Sequence, residues 1–165
     1  MPKNPKKIEI ERKFLVKNNL WRKDARGIIF WQGYLSTDSL RTVRIRLEGK
    51  VGKITIKGKK RGITGDEFEY DIPANDAKYL LKKLCIQPTI KKKRYKVPHG
   101  SLVWDVDVFQ GMNKGLVIAE IELKKANQKI ELPNWIGKEV TNDKRFRNAN
   151  LVTNPYFKWK KDLVL

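Results

Sequence analysis

The sequence predicts an α+β fold that is mostly β: about eight antiparallel strands closed into a barrel-like tunnel, with helices flanking it. Three observations carry this expectation. Short runs of alternating character, broken by Gly, Pro, Asn or Asp, recur along most of the chain. The polar side of nearly every run holds ionisable residues spaced two apart, where a face open to water would tolerate Ser, Thr, Asn and Gln. Between two of the runs, "NDAKYLLKKLC" carries apolar residues at helical spacing.

The first run is "IEIERKFLV", residues 8 to 16, where Glu9, Glu11 and Lys13 alternate with Ile8, Ile10, Phe14 and Val16. Residues 29 to 36 set Gln32 and Tyr34 against Trp31 and Leu35, and residues 41 to 48 set Arg44 and Arg46 against Val43, Ile45 and Leu47. A Gly-containing turn in "LEGKVGKIT" leads to residues 51 to 58, with Thr55 and Lys57 opposite Ile54 and Ile56. Residues 66 to 72 place Glu67, Glu69 and Asp71 against Phe68 and Tyr70. In the helix that follows, Ala77, Leu80, Leu81 and Leu84 form one apolar stripe, with Asn75 or Asp76 as the N-cap.

The run at residues 91 to 97 puts Lys92 and Arg94 on one face, and "IKKKRY" leaves Lys91 and Lys93 pointing outward beside the apolar wall. After the turn "VPHGSL", residues 101 to 109 alternate Asp105 and Asp107 with Trp104, Val106 and Val108. Residues 116 to 124 alternate Glu120, Glu122 and Lys124 with Ile121 and Leu123. The tail "LPNWIGKEVTNDKRFRNANLVTNP" reads as loop plus short helices.

Like charges two apart on one strand face repel unless something compensates. If about eight strands close, the ionic face becomes a lumen wide enough for side chains or one small ligand. Burying unpaired charges costs several kcal/mol each, so such a lumen makes sense when its charges pair, hydrate or meet a ligand. A polyanion with a divalent cation is such a ligand: guanidinium and ammonium groups match phosphoryl oxygens, and hard carboxylates match Mg²⁺ or Mn²⁺.

The bulk numbers agree. A chain of 165 residues fits one domain with an adequate core. Its formal charge of +19 favours an anionic partner without choosing among nucleic acid, polyphosphate and a phosphorylated metabolite. The single Cys85 excludes an internal disulfide and reads as a buried, inert thiol suited to a reducing cytoplasm. No apolar run reaches the ~20 residues that span a bilayer, and "MPKNPKK" lacks the apolar segment of a secretory signal, so no membrane association is expected. His99 has no partner His or Cys for zinc, and "GKKRGITG" lacks the ending of a nucleotide-binding phosphate loop.

The ordered set "IEIERKFLV", "WQGYL", "RIRL", "TIK", "EFEY", "KKRY", "DVDVF", "AEIEL" and "EVTNDKRFRN" resembles the CYTH superfamily, the triphosphate tunnel metalloenzymes, from residue 8 to about 150. The resemblance implies a single domain spanning 1 to 165, its core at 8 to 150 followed by an extension at 151 to 165. It further implies a tunnel binding a triphosphate with one or two divalent cations, Mg²⁺ or Mn²⁺. Carried over by position, Lys13, Arg44, Arg46, Lys57, Arg94 and Lys144 would hold phosphoryl oxygens, with Lys92 in addition. Glu9, Glu11, Asp107, Glu120 and Glu122 would hold metal, and Glu9, Glu11, Lys13 and Tyr34 would serve catalysis. Lys144 would lie at a tunnel mouth, oriented by Asp143.

"WQGYL" is similar to the small bacterial members that hydrolyse inorganic triphosphate, which makes that reaction the expected one. The alternatives are an organic triphosphate (adenylate cyclisation, thiamine triphosphate or nucleoside triphosphate hydrolysis) and a non-catalytic module for polyphosphate or RNA. Secondary binding of polyphosphate or nucleic acid by the basic surface, and homodimerisation, are compatible with the sequence. One departure stands out: the family often has a basic residue two positions before the "EFEY" pair, where this chain has Gly65. That leaves one cationic contact at a tunnel mouth in doubt.

Overall fold

The computed structural model describes residues 8–23 and 25–163. The alternating runs become β1 (Ile8–Val16), β2 (Gly27–Ser36), β3 (Arg41–Glu48), β4 (Val51–Gly58), β5 (Thr64–Ile72), β6 (Ile90–His99), β7 (Leu102–Phe109) and β8 (Val117–Glu122). The sheet runs β5-β4-β3-β2-β6-β7-β8-β1, and β1 returns to β5 through Ile8↔Asp66, Glu9↔Gly65 and Ile10↔Thr64, so the eight strands close. Every pairing around the ring is antiparallel. The two predicted turns contain Gly49 (φ +58°) and Gly100 (φ +59°), the left-handed backbone that glycine adopts at least cost.

A ninth strand, β9 (Ile136–Glu139), lies in the tail that the sequence reading assigns to loop and short helices. It pairs with the C-terminal half of β1 at Phe14↔Glu139 and Val16↔Ile136, taking up the edge that β5 covers only near Ile8 to Ile10. Short helices do follow, including α2 (Asn148–Thr153) and α3 (Tyr156–Trp159).

The apolar core lies mostly on the outer surface of the barrel. Helix α1 (Ala74–Lys83) covers β3 and β4, burying Ala77 and Leu81 against Ile45, Leu47 and Cys85. It starts from Pro73, whose carbonyl accepts from Ala77 N at 3.0 Å. Asn75 and Asp76 therefore lie inside the first turn and neither is the N-cap; Leu84, on the expected stripe, is exposed. On the other side Trp104, Phe14, Ile121 and Trp135 form a second cluster, with Trp104 edge-on to both Phe14 and Trp135.

The third cluster is internal. At one end of the barrel the inward positions turn apolar, and Leu15, Tyr34, Ile90, Phe109 and Ile118 pack with Phe146, Leu151, Val152 and Trp159. The C-terminal helices thus close over that end, and the ionic lumen occupies the rest. Lys91 and Lys93 do point outward, each lying over an aromatic ring: Trp31 at 5.1 Å and Tyr95 at 5.5 Å. No helix among the described residues is long and apolar enough to cross a membrane.

Candidate active site

Strand alternation and closure together aim the ionic faces at one another. The result is a cavity of ≈ 240 Å³ whose lining includes seven cations and seven carboxylates. A single water needs only about 10–15 Å³ of such space, so the chamber can take several waters or a small polyanion. A second compartment of ≈ 110 Å³ shares Glu11, Lys13, Arg44, Lys57 and Asn148 with it and opens past Tyr34, Thr37, Ser39, Lys60 and Arg147.

The charges are paired. Lys13 Nζ lies 3.1 Å from Glu120 and 3.8 Å from Glu11. Lys57 Nζ bridges Glu9 at 2.7 Å and Glu67 at 3.1 Å. Arg94 forks onto both oxygens of Asp107 at 2.6 Å and also reaches Asp105 and Glu120 at 3.1 and 3.2 Å. Lys92 donates to Asp107 at 2.6 Å. Arg44 donates to Thr55 Oγ1 at 3.0 Å, and Arg46 pairs with Glu48 at 2.7 Å. From the wall, the Phe30 ring faces the guanidinium groups of both Arg46 and Arg94, at 5.1 and 5.0 Å. Arg44 Nε, Arg46 Nε and both polar atoms of the Gln32 amide are buried without a hydrogen-bond partner, so the β2–β3 wall holds three donors and one acceptor unpaired.

Proton affinities follow from this packing. Burial and the adjoining Glu11 raise Glu9 to about 7, against the pull of Lys57. Burial raises Glu11 too, but Lys13, Lys57 and Lys60 outweigh it and hold it well below the usual carboxylate range. Burial, reinforced by Arg94 and Arg46, pushes Lys92 down to about 7 despite Asp107. For Lys13 the balance reverses: burial disfavours the charge, yet Glu120 and Glu11 raise it above the ordinary lysine value. Burial and the like charges of Arg44 and Arg94 push Arg46 down to about 10.

Most residues singled out from the sequence meet here: Glu9, Glu11, Lys13, Arg44, Arg46, Lys57, Lys92, Arg94, Glu120 and Glu122 line the larger chamber, and Tyr34 lines the smaller compartment. Two do not. Asp107 has no exposed surface, lines neither compartment and is clasped by Lys92 and Arg94 as their buried counter-ion. Lys144 is exposed and lines neither compartment, and Asp143 engages Arg145 at 2.7 Å in place of orienting Lys144. Lys60 and Asn148 are additions from loop and helix, where no strand alternation could announce them; Asn148 accepts from Lys92 at 3.3 Å. Phe30, Glu67 and Glu69 follow the inward alternation of β2 and β5.

The fit of a divalent cation can be judged from the donors. Glu11 and Glu122 are directly opposite across β1 and β8, and Glu9 and Glu120 share their face, giving hard oxygen ligands of the kind Mg²⁺ and Mn²⁺ take. Among the described residues no three such side chains converge as they stand, because lysines and Arg94 draw Glu9, Glu11 and Glu120 aside. The donor chemistry fits, and Glu9, Glu11 and Glu120 are each paired with a lysine or with Arg94.

The model of the CYTH domain matches residues 7–156. The chain belongs to the CYTH family. As a CYTH protein it is 45% identical over 153 residues to an inorganic triphosphatase of Acetivibrio thermocellus, covering 93% of this chain and 98% of that one. A second inorganic triphosphatase, from Nitrosomonas europaea, is 35% identical over 149 residues, covering 87% and 95%. A crystal structure of an inorganic triphosphatase superposes with a TM-score of 0.63 at 31% identity, covering 87% of this CYTH chain and 96% of its own.

Proposed function

We propose that this protein hydrolyses inorganic triphosphate to pyrophosphate and orthophosphate inside the barrel, with Mg²⁺ or Mn²⁺ as cofactor. The observation that carries the reading is the enclosed wall on which Lys13, Arg44, Arg46, Lys57, Lys92 and Arg94 face Glu9, Glu11, Glu120 and Glu122. The chemistry needs that combination. Triphosphate repels an attacking water, and catalysis of phosphoryl transfer rests on positioning and charge stabilisation.

The cations would leave their carboxylate partners for phosphoryl oxygens and fix the chain along the tunnel. Arg44 and Arg46, whose Nε groups want acceptors, would take oxygens from the β3 side. Lys13 and Lys57 would do so beside the carboxylates, and Tyr34 would pack against the reacting end near Lys13. Glu9, Glu11, Glu120 and Glu122 would hold the divalent cation, which supplies Lewis-acid polarisation and a more acidic water. Glu9, which burial and Glu11 raise to about 7, would hold a proton more readily than Glu11 or Glu120. The buried single thiol, raised to about 11, supports a bystander role for Cys85 in a reducing cytoplasm.

Phosphate release from tripolyphosphate, ATP and thiamine triphosphate, with Mg²⁺, with Mn²⁺ and with chelator, tests this reading. Tripolyphosphate is expected to turn over fastest, and chelator to stop it. Lys57→Ala and Arg46→Ala are expected to abolish turnover while circular dichroism shows the fold retained. Unchanged hydrolysis in both variants refutes the tunnel assignment. Salt-sensitive nucleic-acid binding without phosphate release would point to a binding module instead.

A further inference from the structure

The segment between β4 and β5, "KKRGI", carries a lysine that strand alternation does not account for. Lys60 reaches back into the smaller compartment and places Nζ 2.6 Å from Glu11 Oε1, the oxygen that also faces Lys13. Its stem runs over Gly65. A Cβ built on Gly65 would approach Lys60 Cγ to 3.1 Å, so the lysine fills the space a side chain at 65 would need. Gly65 is the position where the family resemblance leads one to expect a basic residue, and it pairs across the closing seam with Glu9. The loop thus brings a cation to the place where the strand has none.

The two ends of Lys60 have different freedom. Its neighbours Arg61 and Thr64 are tied in a tight turn by hydrogen bonds of 2.8 and 3.2 Å, and Ile63 O accepts from Glu11 N at 3.2 Å. The side chain beyond is a flexible four-carbon stem carrying a compact charge. It sits on Glu11, the carboxylate that lines both compartments, at a mouth it shares with Lys57, Arg44 and Arg147.

We propose that Lys60 is a substrate-positioning residue held in reserve on Glu11: an incoming divalent cation displaces it from the carboxylate, and it turns onto the terminal phosphoryl group of the substrate. It takes the part of the absent basic side chain at 65. This deepens the triphosphate reading and rests on it.

The test compares wild type, Lys60→Ala, Lys60→Met and Lys60→Ala/Gly65→Arg. Calorimetric titration of the substrate-free proteins with Mn²⁺ alone is expected to show Lys60→Ala and Lys60→Met binding about three- to tenfold tighter, since a competing cation is gone. With Mn²⁺ saturating, KM for tripolyphosphate is expected to rise about tenfold in both while kcat moves less than about twofold, and Gly65→Arg in the Lys60→Ala background is expected to recover most of the KM. Mn²⁺ affinity equal to or weaker than wild type in Lys60→Ala overturns the proposal, as does an absence of Mn²⁺ binding throughout. Wild-type behaviour of Lys60→Met, which keeps the stem over Gly65 without the charge, also overturns it by reducing Lys60 to packing. A wild-type protein that ignores tripolyphosphate would defeat the triphosphate reading separately, because the Mn²⁺ comparison does not depend on turnover.

Discussion

Two groups in the tunnel are brought near neutrality from opposite directions by the same cause, burial, and each has a signature in stability. Glu9 is raised from 4.5 to about 7, so between those values the folded protein binds more protons than the unfolded chain and stability falls as pH rises. Lys92 is lowered from 10.5 to about 7, so between 7 and 10.5 the unfolded chain binds more protons and stability rises with pH. Urea unfolding across pH 5 to 7 is expected to show the decline in wild type and its loss in Glu9→Gln. A bound polyanion would favour protonated Lys92. Calorimetry of tripolyphosphate binding at pH 8 in buffers of different ionisation enthalpy is expected to show uptake approaching about one proton, absent in Lys92→Met. Asp107, wholly enclosed by Lys92 and Arg94, is another matter. Asp107→Asn leaves two buried cations short of their counter-ion and is expected to cost about 3–5 kcal/mol in denaturant unfolding. Alternation in "DVDVF" announced that Asp107 faces inward but not how deep it lies, since depth depends on which cations arrive from the neighbouring strand.

At the level of elements, local pattern was a good guide wherever an element could be recognised from its own residues. The eight barrel strands follow their alternating runs to within a few residues at each end. Helix α1 follows its apolar stripe, although its start moved to Pro73 because that carbonyl is placed to accept the first helical bond. Its contact with β4 depends on Gly52, where an added Cβ would come within 2.7 Å of Ile72 O and 2.9 Å of Ala77 Cβ. Neither is a flexible side-chain end. Gly52→Ala is therefore expected to cost about 1–3 kcal/mol, read as a lower urea midpoint with unchanged slope. Strand β9 was not legible: four residues, Ile136–Glu139, carry too little alternation, and they are strand because β1 offers them an edge. The same holds for Lys144 and Lys60, whose positions are set by how loops and short helices close over the barrel ends.

For the molecule as a whole, the charge balance is divided by location. The larger chamber is lined by equal numbers of cations and carboxylates, so the formal +19 resides outside it. The interior therefore owes its readiness for a polyanion to exchangeable ion pairs, and the exterior supplies long-range attraction. Stopped-flow association of tripolyphosphate is expected to slow by more than about tenfold between low salt and 0.3 M, where screening lengths fall below ~10 Å, while kcat changes far less. Equal salt sensitivity of both constants would contradict this division.

Alone, the amino-acid order determined which residues share a face: side chains two apart on a strand point the same way whatever surrounds them, and that periodicity made the ionic stripes, the barrel strands and most of the tunnel lining visible. Tertiary structure decided which cation meets which carboxylate, that Asp107 is sealed while Glu122 lines the chamber, and that Lys60 lies over Gly65. Those outcomes depend on register between strands distant in the chain and on loops folded over the barrel ends, and interactions across such separations leave no period in the sequence to read.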